Sequence, residues 1–446
     1  MSPVPAHKRS GNANCHPRLR EDDSGGVWRF AFPWLATLSV CIALLYGSPA
    51  ARASDNARQS VERDFQVWIA DHVWPEAKVA GVSRAIFDAA MHGVTLDWSL
   101  PDLILPGAQE KVPEAQSQAE FASPGAYFDE TRLERLVLDG RHQIEKWTAT
   151  LHAIEQRYGV PRGIVVAIWG RESGYGSAPL TRDAIRTLAT EAYLGFRKDI
   201  FEPELIAALA ILARGDVDRS ELKSSWAGAL GQPQLLPSHF LQYAVDFEGK
   251  GKRDIWHSVP DSLASIANAL ATQGWQAGRA WGFEVDVPDA VSCAMEGPEQ
   301  GKNVGEWAKL GVRRVDGKPF PPGETNETAY LVLPAGRFGP AYLVSPNFYV
   351  VKTYNNSDLY ALFVGHLADR FAVDKPFVRA WQKIGGFSRR DVKAMQDRLV
   401  ATGYDVGNAD GLIGFKTRIA IGLWQTRKGM PATCFPRGAA DVSAIR

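Results

Sequence analysis

The amino-acid sequence predicts a mainly α (α+β) protein: a large helical body with a small β-rich insertion, followed by a small separate helical unit. Three observations predict it. Apolar residues recur at three- and four-residue steps along several long stretches, the spacing that lines one face of a helix. Between about residues 283 and 343 the texture changes to short β-like runs set between Gly/Pro turns. Beyond a stretch at 373–387 that reads as a linker, a second helical pattern runs over 388–430. A chain of 446 residues has room for two or three such domains.

Taken in order, the chain opens with basic residues (Lys8, Arg9, Arg18, Arg20, Arg29) ahead of an apolar run from about Phe30 to Tyr46. Gly47, Ser48, Pro49 and the small-residue site Ala51-Arg52-Ala53 follow, the pattern of a secretory signal cleaved after Ala53. The apolar run is short for a transmembrane span. Its long basic region leaves a later translation start or an uncleaved signal anchor open. Cys41 follows Leu38-Ser39-Val40, without the small residue a lipoprotein site needs, so no lipid anchor is expected. The first 53 residues carry six Lys/Arg and three Asp/Glu, so a chain of zero formal charge is left near −3 by their removal. That balance gives no reason to expect nucleic acid. Cys15 and Cys41 leave with the signal; Cys293 and Cys434 could pair in an oxidising compartment, but they lie far apart in sequence, so two free thiols are expected.

From Val61 to about Ala90 the spacing of Phe65, Trp68, Ile69, Val73, Val82, Ile86 and Ala89 predicts helix. Residues 99–125, rich in Pro, Gln and Ser, predict a loop. Ile144, Trp147, Leu151, Ile154 and Tyr158 form one helical stripe that Gly159 ends. Further helices are expected over Ala184–Thr190, Pro203–Arg214, Asp261–Gly274 and Leu359–Phe371. Ala329–Leu333 and Ala341–Val344 predict strands. In the C-terminal unit, Val392, Met395 and Leu399 mark one helix and Thr417–Thr426 another.

The stretch that organises the chain is Ile164-Val165-Val166-Ala167-Ile168-Trp169-Gly170-Arg171-Glu172-Ser173-Gly174-Tyr175-Gly176. Pro161 suits the first helical turn, and Gly174 and Gly176 suit the stop. Glu172 then sits in the last turn, where the helix dipole disfavours negative charge. Val165, Ile168 and Trp169 add an apolar wall. Both effects favour the protonated carboxyl that a general acid needs. A second stretch, Ser225 to Ser238, is too dense in Gly and Pro for a long helix. It allows close backbone approach to a ligand, with Gln232 and Gln234 as amide donors and acceptors; a buried turn is the alternative.

Together these stretches resemble the B-type lytic murein transglycosylases of Gram-negative bacteria, over roughly residues 60–372. The resemblance rests on Ile168–Gly176, on Trp226-Ala227-Gly228-Ala229-Leu230-Gly231-Gln232-Pro233-Gln234 with Leu236-Pro237-Ser238, and on Tyr243-Ala244-Val245-Asp246-Phe247. Asn347-Phe348-Tyr349-Val350 and Tyr354-Asn355 complete it. The small unit resembles the peptidoglycan-binding domain type 1 through Leu399, Gly403-Tyr404, Asp410-Gly411, Gly414, Thr417 and Ile421 to Gln425. The resemblance implies four parts: signal 1–53, a lysozyme-like transglycosylase domain 54–372, linker 373–387 and a peptidoglycan-binding domain 388–440. It implies a periplasmic enzyme acting on glycan strands, with cell-wall synthesis enzymes as candidate partners. Glu172 takes the position of the family's catalytic acid, and Ser225, Gln234, Tyr354 and Asn355 those of its substrate groove.

The implied reaction breaks the bond between N-acetylmuramic acid and N-acetylglucosamine without water. A two-carboxylate glycosidase needs a second carboxyl about 5–10 Å from the acid, and none stands out in the motifs. One residue can instead serve as acid and then base, with the muramic C6 hydroxyl closing a 1,6-anhydro ring. Two other readings stand beside this one. A hydrolytic muramidase would draw on Glu191 or Asp183 as second carboxylate, and a non-catalytic wall-binding scaffold would use neither. No cofactor is implied, and the nine histidines show no zinc-ligand pair. Some family members carry a calcium loop where this chain has Asp246 to His257. Lys250 and His257 occupy two of its ligand positions, so a structural turn, with Lys250 paired to an Asp, is expected instead of a metal site.

Overall fold

The computed structural model describes residues 49–101, 103–108 and 123–445, and the chain divides into a short unit up to Ala57 and a body from Arg58 onward. The expected signal segment, Cys15 and Cys41 fall outside the described residues, apart from the last few before Ala53, as does much of the loop expected at 99–125. No helix among the described residues is long and apolar enough to cross a membrane.

Helix α1 (Pro49–Trp68) runs into a π-helical turn at Ile69–Val73, then α2 (Trp74–Val79) and α3 (Arg84–Met91). The single amphipathic pattern is thus broken, by a bend at Gly81 and by Ser83, which caps α3 through the Ile86 N–H. Next come α4 (Glu130–Lys146), α5 (Thr148–Tyr158) and α6 (Arg162–Ser173). The stripe from Ile144 to Tyr158 therefore spans two helices, because Trp147 leaves helical geometry between them. Strand β1 (Arg182–Asp183) leads into α7 (Ala184–Leu194) and α8 (Lys198–Arg214), and β2 (Lys223–Ser224) pairs antiparallel with β1. Helix α8 starts five residues before the expected Pro203, with Phe201 buried in its first turns. Helices α9 (Pro237–Tyr243) and α10 (Val259–Thr272) follow.

The insertion is an antiparallel sheet of β3 (Gly282–Asp286), β4 (Lys302–Asn303), β5 (Arg313–Arg314), β6 (Thr328–Val332) and β7 (Ala341–Val344), with α11 (Val304–Lys309) between β4 and β5. Its order is β4-β6-β7-β3-β5. Both expected strands are present, and β7 pairs with β3, Phe283 opposite Leu343. The chain then forms α12 (Pro346–Tyr354) and α13 (Asp358–Ala372), and after the segment 373–388 it ends in α14 (Arg389–Ala401), α15 (Phe415–Arg427) and α16 (Ala439–Ala444).

One core gathers α4, α5, α6, α10, α12 and α13 around Trp169, Phe348 and Phe363; a second packs α1–α3 against α7 and α8. Helix α6 is buried along its length from Ile164 to Gly170. Burial of that many apolar side chains, at roughly 1.5–3 kcal/mol each, makes α6 the axis of the body.

Two expectations are corrected. Residues 373–387 contain no helix or strand, yet they are not a free linker. Phe377 stacks on His366 at 3.8 Å, and Trp381 lies flat on Phe128 at 5.0 Å. The C-terminal unit is also covalently fixed, since Cys293 and Cys434 form a disulfide across 141 residues. The sulfurs lie over Gly422, where a Cβ would come within 2.2 Å of the Cys434 Sγ, so only glycine fits there. Sequence distance hid this pairing because the β-insertion folds back onto α15, burying both cysteines in one cluster with Trp307 and Leu331. That unit also reaches past residue 440, with Val442 and Ile445 buried in its core.

Candidate active site

Helix α6 ends where the sequence predicts. Gly174 adopts a left-handed conformation (φ 56°), and its N–H returns to the Gly170 carbonyl, a turn that glycine makes without strain. Pro161 is the N-cap residue, one position ahead of the first turn expected for it. The Ser173 hydroxyl accepts the Gly176 N–H at 3.0 Å, and Tyr175 packs edge-on against Trp169 while its phenol donates to the Leu136 carbonyl. The residues after Glu172 are thereby pinned.

Glu172 is partly buried, and its Oε1 accepts a hydrogen bond from the Tyr360 phenol at 2.6 Å. Burial is the largest influence on its carboxyl and pushes its pKa above the usual range; the Tyr360 hydrogen bond and the Arg171 charge oppose that shift. Burial also drives the phenols of Tyr360 and Tyr354 well up, and the neighbouring Glu172 charge adds to it. Arg171 lies over the rings of Tyr127 and Phe363 and donates to the Tyr127 hydroxyl at 2.8 Å.

The Ser225–Ser238 stretch folds as a tight double turn, with bridges from Ser224 to Leu230 and from Leu230 to Leu235. Two ties fasten it beside Glu172. The Tyr354 phenol donates to the Pro233 carbonyl at 2.6 Å, and its ring lies parallel to that of Tyr360, 6.5 Å away. Gln232 supplies the second tie. Its Oε1 accepts from the Trp169 indole at 2.9 Å, and its Nε2 donates to the Trp256 carbonyl at 3.1 Å. With one hydrogen bond at each end of its amide, Gln232 fastens the loop to α6 and keeps a second N–H and a second lone pair.

Gln234 takes a left-handed φ of 55° and closes its own turn by donating to the Gly231 carbonyl. The Ser225 hydroxyl accepts the Ala229 N–H at 3.2 Å, which leaves its own proton to donate. Asn355 is exposed at the end of α12. Trp226, 44% exposed on the same loop, offers an aromatic face of the kind sugars stack on. A cavity of about 350 Å³ opens beyond the end of α6, lined by Ser173, Gly176, Lys223, Gln232, Trp256 and His257 among others.

Sequence reasoning missed Tyr360. It falls inside an apolar helical run and reads as core; the only signal was the Ser357 cap, whose hydroxyl accepts the Tyr360 N–H and fixes that first turn.

The Asp246–His257 loop closes on itself. Asp246 accepts the N–H groups of Lys250 and Gly251, and Asp254 those of Trp256 and His257. Lys250 pairs with Glu248 at 2.8 Å, where the sequence suggested an Asp. With its carboxylates turned onto N–H donors and an ammonium among them, this donor set does not fit calcium.

Residues 64–369 match the transglycosylase SLT domain model, and residues 388–435 match a peptidoglycan binding domain model. Over 223 residues the chain is 31% identical to membrane-bound lytic murein transglycosylase B of Escherichia coli, a match spanning 49% of this chain and 59% of that protein. Two crystal structures of SltB3 from Pseudomonas aeruginosa, in complex with NAG-anhNAM-pentapeptide and with NAG-NAM-pentapeptide, are 40% identical to it with a TM-score of 0.76. Each similarity covers 86% of this chain and 99% of SltB3. With a lysozyme-like body built around α6 and a helical C-terminal peptidoglycan-binding domain, the chain belongs to the B family of lytic murein transglycosylases.

Proposed function

We propose that this protein cleaves the β-1,4 bond between N-acetylmuramic acid and N-acetylglucosamine in peptidoglycan without water, leaving 1,6-anhydro-muramic ends. One observation carries the reading: a partly buried Glu172 held by the Tyr360 phenol, with Arg171 the charged group acting on it among the described residues. Burial favours the protonated carboxyl, which donates its proton to the leaving glycosidic oxygen. The carboxylate so formed is stabilised by the phenol and by the Arg171 charge. It then takes the proton of the muramic C6 hydroxyl as that oxygen attacks C1. Bond formation at C1 replaces the bond broken, and Glu172 ends protonated as it began.

Ser225, Gln234, Tyr354 and Asn355 position the sugars, a contribution made through orientation. Against the hydrolytic alternative, Asp183 is held bidentately by Arg219 and caps α7, and Glu191 is buried in the core packing of that helix. The disulfide suits an oxidising compartment, in keeping with a periplasmic site of action. Wall-synthesis enzymes, acting on the same polymer, are the expected neighbours there.

Digestion of purified sacculi, followed by mass spectrometry of the soluble products, tests this. Muropeptides one water lighter than their reducing-end forms are expected. Reducing ends would make the protein a muramidase, and sacculus binding without release would make it a scaffold.

The role of Tyr360 has its own signature. Its phenol hydrogen-bonds the ionised carboxyl, so Tyr360→Phe lifts the Glu172 pKa further. The acid then stays protonated to higher pH, and the basic limb of the kcat–pH profile should move up by about one unit. An unmoved limb would remove Tyr360 from the mechanism.

A further inference from the structure

We propose that Arg418, in the C-terminal domain, is a positioning residue for the catalytic acid, acting through Asp358 and the helix that presents Tyr360 to Glu172. The inference rests on the reading of Glu172 as the acid.

Arg418 lies on α15, and its guanidinium is almost fully buried, 3% exposed. Its Nε and Nη2 donate to the two oxygens of Glu296, each at 2.9 Å, and Nη2 also reaches the Asp358 Oδ2 at 2.9 Å. Glu296, on the β-insertion three residues past Cys293, is itself fully buried and accepts the Leu333 N–H as well. Asp358 is completed by the Lys352 ammonium at 2.7 Å. Three parts of the chain therefore meet in one matched set of two cations and two carboxylates. Such a network adds little net stability over apolar packing of equal volume. What it does impose is direction, because a two-oxygen fork tolerates little rotation.

The direction it imposes is that of the active site. Asp358 is the first residue of α13, and Tyr360 lies two residues on, with its N–H held by Ser357. Lys352 lies on α12, two residues before Tyr354. The two tyrosines with parallel rings beside Glu172 thus spring from two helices that both converge on Asp358, and Arg418 holds Asp358 from the other domain. The charged and titratable groups facing Glu172 are Tyr360 and Tyr354 from these helices and Arg171 on its own helix, with Tyr127 acting on Arg171 and Arg171 in turn on Arg132. Of these, only the tyrosines are set by the Asp358 junction, so loosening it should act through the phenol on the carboxyl.

The test uses the full chain and short soluble glycan strands, so that attachment to the wall does not limit the rate. In E296L/R418M the guanidinium leaves together with its buried counter-charge, so no lone charge is stranded, and the disulfide still ties the domain in place. With melting and circular dichroism close to wild type, kcat should fall roughly 10-fold and KM change less than about twofold. The basic limb of the kcat–pH profile should move upward by about half a unit or more, in the direction of Tyr360→Phe. R418K, which keeps the charge and loses the fork, should recover part of both, and it carries the same test if the double variant does not fold. A folded variant with wild-type kcat and an unmoved limb, or a loss confined to KM, overturns the proposal. Wild-type protein that yields no anhydro products overturns the functional reading first, and this proposal with it.

Discussion

Replacing Glu172 by Gln should lower the release of anhydro-muropeptides from sacculi by roughly 10²–10⁴-fold, at the upper end if both proton transfers pass through it. The amide can still accept the Tyr360 hydrogen bond at the same site, so packing and melting temperature should stay near wild type. It cannot donate an acidic proton, nor can it become a base. Because both halves of the proposed cycle use one group, no external nucleophile such as azide should rescue the variant in the way it rescues nucleophile-deficient retaining glycosidases. Product mass spectrometry on equal amounts of folded protein is the measurement. Retained release in the variant would place the acid elsewhere.

The second large effect is on stability. The Cys293–Cys434 disulfide closes a loop of 141 residues, and the loop-closure entropy it removes from the unfolded chain amounts to about 5 kcal/mol, within a usual range of about 2–5 for native bridges. The double replacement of Cys293 and Cys434 by Ala should therefore move the guanidinium unfolding midpoint markedly downward. Added reductant should shift wild type in the same direction and leave the double variant unchanged. A wild-type midpoint indifferent to reductant would mean that the bridge contributes nothing to the fold. Loss of the bridge should also weaken the fit between α15 and the insertion, since the Arg418–Glu296 pair lies in the same seam.

How much of this was legible in the sequence follows from the range of each interaction. Helix α6 and its stop were legible because a run of apolar residues, one carboxylate and two glycines are local signals. So were β6 and β7, whose β-rich runs lie between turns. Trp147 was not recognised as a break, because an aromatic residue continues a helical stripe whether or not the backbone does. The tie from Gln232 to Trp169 was not legible, because an amide offers the same donor and acceptor to a sugar as to an indole. Tyr360 was invisible for a different reason: its partner is 188 residues away, and a tyrosine in an apolar helix carries no mark of where its hydroxyl ends. The disulfide and the packed segment at 373–387 depend likewise on which surfaces the fold brings together, which spacing along the chain does not encode.

The packing of Phe377 and Trp381 changes what the C-terminal domain contributes. Had 373–387 been a free chain, its grip on the polymer would raise local substrate concentration by an amount set by chain statistics, falling with roughly the −3/2 power of tether length. With both aromatics stacked on the body, that dependence vanishes, and the span between the gripped point and the scissile bond becomes a dimension of the folded protein. The domain is then held at a set place on the body, and not like a ball on a string.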